Sequence, residues 1–118
     1  MFNRGDNIQE LEAVSSTLFQ ANVVGNIHLF NLFLPLVLKG KVKKVIAFSS
    51  GHADLDSIND FEVENSALYA ASKAALNVVV AKFKAQCKKD GVLLVSICPP
   101  SRECGPVCQW YATLFQHQ

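Results

Sequence analysis

Glycine is scarce in this chain and badly placed for one common task. The 118 residues hold six glycines, at positions 5, 25, 40, 51, 91 and 105. No two of them are two positions apart, so no Gly-x-Gly turn can be built against a pyrophosphate. Charge is also modest, at 18% of residues and a formal net of +1. The only basic block is "KGKVKK", residues 39–44, which reads as a solvated turn before a strand, so nucleic acid is a poor candidate partner. Four cysteines, at 87, 98, 104 and 108, form no Cys-x-x-Cys pair, which argues against a zinc module. The start, "MFNRGDNIQE", lacks the apolar segment of a secretory signal. A cytoplasmic chain with reduced thiols is therefore expected. The longest apolar stretch, "VVGNIHLFNLFLPLVL", is broken by Gly25, Asn26, His28 and Asn31. It falls short of the roughly 18 uninterrupted apolar residues of a membrane span and reads as a buried helix.

What is present suits one globular domain, since half the residues are hydrophobic. Leu11, Val14, Leu18, Val23, Ile27, Phe30 and Leu34 recur at helical spacing, predicting a helix over about 8–38. Pro35 should kink it or mark its last turns, and Gly40 should stop it. "KVIAFSS", residues 44–50, and "VLLVSIC", residues 92–98, read as buried parallel strands. Between them, residues 51–66 carry half of the chain's acids with little periodicity. They read as a long solvated loop, and no calcium-loop spacing is present. A second helix is expected over about 67–89, capped by Asn65 or Ser66, with Leu68, Ala71, Ala75, Val79, Phe83 and Cys87 on its inner face. Strand, helix and strand then make a right-handed βαβ unit. Its active rim lies at the carboxyl ends of the strands, near Ser49, Ser50 and Pro99.

The chemistry is concentrated in "ALYAASKAALN", residues 67–77. Tyr69 and Lys73 are four apart and share a helix face. A phenol can donate a proton to a carbonyl oxygen. Free phenols titrate near 10, and a neighbouring ammonium favours the phenolate. Ser50, at the end of the upstream strand, can hold the same oxygen. Ser49 is the alternative for that role. Asn22 alone reads equally as a plain polar residue of its helix. His28 and His52 read as surface and loop histidines.

Three segments in order resemble the short-chain dehydrogenase/reductase family. "YAASK" is similar to its Tyr-x-x-x-Lys motif. "VIAFSS" is similar to the strand that leads to its serine, which falls on Ser50. "FQANVVGNIHLFNLFLPLVL" is similar to the helix bearing its active-site asparagine, which falls on Asn22. The resemblance covers roughly residues 10–99, and the 19-residue step from Ser50 to Tyr69 looks most like fungal members. It implies an α/β fold, part of a Rossmann-like doubly wound parallel sheet, with a partial domain at 1–99 and an unmatched tail at 100–118. It implies an oxidoreductase that uses NADP or NAD to interconvert a small carbonyl and its alcohol. Tyr69 would be the acid–base, Lys73 would lower its pKa, Ser50 would orient the oxygen, and Asn22 would help hold a water in a proton relay to the lysine. Tyr69, Lys73 and Pro99 would also meet the cofactor.

The family's glycine turn, and with it about the first third of its fold, has no counterpart here. Pro100 stands where the family has glycine after its sixth strand. The expectation is a chain truncated at its N-terminus and divergent after that strand. Such a chain should be marginally stable or should oligomerise. In the family the two long helices commonly form a dimer bundle. The alternative function is therefore a non-catalytic fragment that pairs with itself or with a full-length relative through those helices.

Overall fold

The computed structural model describes residues 7–99. The tail at 100–118, with Pro100 and the apolar Trp110, Tyr111, Leu114 and Phe115, lies outside the described residues. The chain enters as one helical rod from Ile8 to Lys39. The rod has three parts: α1 (Ile8–Phe19), a π-helical turn (Gln20–Val24) and α2 (Gly25–Lys39). The extent agrees with the spacing of its apolar residues, but the π turn departs from the single α-helix that spacing predicts. Within it the Gly25 N–H bonds back five residues to the Gln20 carbonyl. One residue is thereby inserted into the helical register, and the faces on either side are re-aimed. Pro35 sits in the closing turns of α2, and the rod stops where Gly40 turns extended.

β1 (Lys44–Phe48) and β2 (Leu93–Ile97) follow in the predicted places. They pair in parallel from Lys44 opposite Leu93 to Phe48 opposite Ile97, and are the only two strands among the described residues. Both strands are expected to be buried, and the structure corrects this on one face. Ala47 and Leu94 are buried, while Ile46, Phe48 and Leu93 are exposed. Helices cover one side of the ribbon only, so alternate side chains face opposite environments.

The acidic segment is more ordered than a solvated loop. After a 3-10 turn (Gly51–Ala53) comes a short helix, α3 (Leu55–Asp60). Asp54 caps it, its Oδ2 accepting from the Ser57 N–H at 3.3 Å and the Ser57 hydroxyl at 2.6 Å. Six residues are too few to display a helical period. α4 (Ala67–Cys87) then runs back along the ribbon. Ser66 precedes it in the left-handed region, at φ 56°, and makes no side-chain capping bond. The side-chain cap expected from Asn65 or Ser66 is therefore not made at Ser66, whose carbonyl only accepts the first intrahelical bond, from the Ala70 N–H. Its buried stripe is Ala70, Ser72, Leu76, Val80 and Cys87; of the expected inner face Cys87 is buried, Val79 and Phe83 pack half-buried on the core, and Ala71 is exposed. Small or apolar residues surround much of this helix, which leaves its phase undetermined by pattern alone. A 3-10 turn (Lys88–Asp90) and Gly91, at φ +70°, lead into β2. Only glycine adopts that backbone without strain.

The core joins Phe30 and Leu34 of α2, Ala47 of β1, Leu76, Val80 and Cys87 of α4, then Val92 and Leu94. Each large aliphatic side chain buried here contributes about 1.5–3 kcal/mol. The stretch expected to be a buried helix buries only Phe30 and Leu34. Leu29, Leu32, Phe33 and Leu36 remain exposed, Leu32 at 69%. A helix presents one stripe to a two-stranded ribbon, and the remaining faces meet no other described element. By length and composition alone, Ile8–Lys39 would suffice to cross a membrane, against the expectation from its broken apolar run. Phe30 and Leu34 are the residues through which it joins the core shared with α4 and β1.

Candidate active site

The carboxyl ends of β1 and β2 form a rim, and α4 begins beside it. The parallel register carries past the last strand residues, the Ser49 N–H bonding the Ile97 carbonyl at 2.7 Å. Beyond it the two connecting segments are also joined, the Gly51 N–H donating to Cys98 Sγ at 3.1 Å. The rim is therefore held from both sides, with Ser50 on one segment and exposed Pro99 on the other.

Lys73 reaches this rim from α4. Its Nζ donates to the Phe48 carbonyl, the last residue of β1, at 2.9 Å. One turn earlier on the same helix, the Tyr69 ring lies with its centroid 5.7 Å from that Nζ. This is within range of a cation–π contact. Partial burial holds the Lys73 pKa below the ordinary lysine range, because desolvation disfavours the ammonium. Tyr69 keeps 36% of its surface exposed.

The two serines diverge. Ser49 points inward, and its Oγ is buried without a hydrogen-bond partner among the described residues. Ser50 is half-buried on the rim, its Oγ accepting the His52 N–H at 3.2 Å. That bond uses a lone pair and leaves the hydroxyl proton available to another acceptor. Of the two, Ser50 has the position from which an incoming oxygen can be held.

Asn22 lies in the π turn, which packs against α4. Its Nδ2 donates to Ser72 Oγ at 2.9 Å, and its carbonyl accepts Asn26 Nδ2 at 2.8 Å. The structure thus brings Tyr69 and Lys73 together, with Lys73 on the carbonyl of Phe48, two residues before Ser50. It seats Asn22 on α4 next to them, bonded to Ser72 rather than to Lys73. Ser72 escaped the sequence reading. Its only signal there is that it is the one hydroxyl among the small residues between Tyr69 and Lys73.

Of the histidines, His28 is exposed on α2 and His52 is half-buried in its loop. His52 lines a mostly apolar cavity of about 320 Å³ with α3 residues and Ala67, Ala70, Ala71 and Ala74. Neither Ser50, Tyr69 nor Lys73 lines it. Among the described residues no group of three or more His, Cys, Asp or Glu side chains is arranged to hold a metal ion.

The chain is similar to known proteins. A family model described as short chain dehydrogenase matches residues 3–106. The short-chain dehydrogenase/reductase iacC of Pestalotiopsis fici is 64% identical over 101 residues, covering 86% of this chain and 37% of that protein. The short chain dehydrogenase virK of Hypocrea virens is 55% identical over 95 residues, covering 80% of this chain and 35% of that protein. An uncharacterized oxidoreductase of Schizosaccharomyces pombe, C663.09c, is 34% identical over 88 residues, with 75% of this chain and 34% of that protein covered. The chain therefore spans a little over a third of the length of these relatives.

Proposed function

The chain belongs to the short-chain dehydrogenase family, a family of oxidoreductases, and from that premise we propose that it carries the proton-transfer face of an NAD(P)-dependent enzyme interconverting a small carbonyl and its alcohol. The observation that carries this reading is the Lys73 ammonium, fixed on the last carbonyl of β1 with the Tyr69 ring one turn away.

In the reducing direction the Tyr69 hydroxyl gives its proton to the carbonyl oxygen, and in the oxidising direction the phenolate takes it back. Lys73 supplies positive charge beside that phenolate. Its pKa, lowered by burial, also lets it release a proton more readily than an exposed lysine. The free hydroxyl proton of Ser50 holds the substrate oxygen in line with Tyr69. Asn22 steadies the helix pair behind them.

The donor set fits the nicotinamide end of the cofactor. Lys73 has three N–H donors and spends one on Phe48, which leaves donors for ribose hydroxyls, with Pro99 on the facing segment. NADP or NAD, when bound, supplies or accepts the hydride at the substrate carbon. No glycine cradle for the pyrophosphate occurs among the described residues, whose glycines lie in or beside helices and turns.

A second reading is supported by the exposed Leu29, Leu32, Phe33 and Leu36 of α2. It makes the chain a partner of a second copy or of a complete reductase. A cytoplasmic location, with neither nucleic acid nor membrane as partner, belongs to both readings. Titration with NADPH and NADH, followed by nucleotide fluorescence, separates them. Saturable binding that is lost in Lys73→Met supports the enzyme. No binding, together with stoichiometric capture of a complete short-chain reductase, supports the second reading and refutes the first for this chain.

A further inference from the structure

Ser72 is the most enclosed polar residue of the described chain, with 0% of its surface accessible. No water can reach it, so its hydroxyl must be satisfied by protein. It is satisfied twice. Ser72 Oγ donates to the Tyr69 carbonyl at 2.7 Å and accepts from Asn22 Nδ2 at 2.9 Å. A hydroxyl has one proton, and the Tyr69 bond uses it. The second contact therefore has to come from a donor, and the Asn22 amide is one.

The two bonds connect places far apart in sequence. Asn22 sits in the π turn, where the extra residue sets the direction in which its side chain leaves the rod. The Tyr69 carbonyl belongs to the first turn of α4, the turn that lacks a side-chain cap at Ser66. That turn is otherwise secured only by main-chain bonding, and an uncapped first turn frays readily. Lys73 follows Ser72 directly and is tied to Phe48.

We propose that Ser72 is a positioning residue. Its hydroxyl clamps the uncapped first turn of α4 to the π turn, and so fixes Tyr69 and Lys73 against the end of β1. This rests on the reading of Tyr69 and Lys73 as the catalytic pair, but the geometry it asserts can be measured without turnover.

The test uses the full chain, isotopically labelled, with Ser72→Ala, Ser72→Val and Ser72→Thr. Threonine keeps the hydroxyl, and valine has the same shape without it. Two NMR signals are followed: exchange of the Asn22 side-chain amide protons, and the carbonyl carbon shift of Phe48, which reports the Lys73 bond. The expected result is exchange at least tenfold faster in Ser72→Ala and Ser72→Val, with the Phe48 signal displaced in both and both signals restored in Ser72→Thr. Equal behaviour of the valine and threonine variants would overturn the proposal. So would an unmoved Phe48 signal, which is what a merely structural tie between helices predicts. Should these variants unfold, Asn22→Leu removes the donor from the other side. It must displace the Phe48 signal in the same direction, and an undisturbed signal again overturns the clamp. Because no arm measures catalysis, a positive result survives even where Lys73→Met leaves nucleotide binding unchanged, and a negative one leaves the catalytic reading standing.

Discussion

The rod formed by α1, the π turn and α2 brings Asn22 to the site only if it is seated on α4, and one aromatic pair reports that seat. Phe30 of α2 is 6% exposed and meets the half-buried Phe83 of α4. The ring centroids are 5.2 Å apart and the planes cross at 64°. Such edge-to-face geometry contributes about 0.5–1.5 kcal/mol beyond the area the rings bury. Truncating Phe30 to alanine would cost about 3–5 kcal/mol, a large share of the stability of so small a fold. Leucine is the better probe, because a nearly volume-conserving exchange costs under about 1.5 kcal/mol. Phe30→Leu, Phe83→Leu and the double variant should be unfolded in urea and followed by circular dichroism. The double variant should be less destabilised than the sum of the two singles, by about 0.5–1.5 kcal/mol. Costs that add to within about 0.3 kcal/mol would show that the rings do not meet. The seating of α2 on α4 would then be wrong, and the position of Asn22 with it.

Lys73 makes stability depend on pH with a definite sign. Burial lowers its pKa in the folded chain, so between that value and the ordinary one, about 10.4, the folded state holds fewer protons than the unfolded. The stability of the native chain relative to Lys73→Met should therefore rise with pH through this interval, because the cost of the buried ammonium is present at neutral pH and relieved in alkali. Melts of both proteins from about pH 8 to about pH 10.4 check this, and a constant difference would refute it. Ser49→Ala should leave the melting transition unchanged or raise it, since the orphan hydroxyl stabilises nothing and its desolvation costs about 1–3 kcal/mol. A loss above about 1 kcal/mol would mean that Ser49 has a partner.

Much of the candidate site is legible in the chain because its parts are local. Tyr69 and Lys73 are one turn apart, and Ser50 follows a strand that its apolar run marks well. The fold class was legible for the same reason, since the order helix, strand, helix, strand leaves few ways to pair β1 with β2. The π turn left no such mark. "QANVV" has no residue that demands an i→i+5 bond, and in the structure the turn packs on α4, a contact no local pattern expresses. The expected face of α4 holds at Val79, Phe83 and Cys87, which pack on the core, but "AASKAALNVVV" offers small or apolar residues on several faces, and Ser72, Leu76 and Val80 are the ones buried where the helix meets β2 and the rod.

Asn22 shows where sequence resemblance and geometry part. Resemblance marks it as a relay residue beside the lysine. In the structure one of its two side-chain N–H groups is spent on Ser72 and its main-chain carbonyl accepts from Asn26. Any water it holds takes the second Nδ2–H, bonds through Oδ1 or shares that carbonyl, which has a second lone pair. The sequence positions involved are 50 apart, so no periodicity or spacing rule can express the contact. What it needs is a serine turned wholly inward in the second turn of α4 and a helix register shifted by one residue opposite it. Each feature alone looks unfavourable, a buried hydroxyl in one helix and a broken bonding pattern in the other. Together they satisfy one another, which is the physical reason to treat Ser72 and the π turn as one device rather than two irregularities.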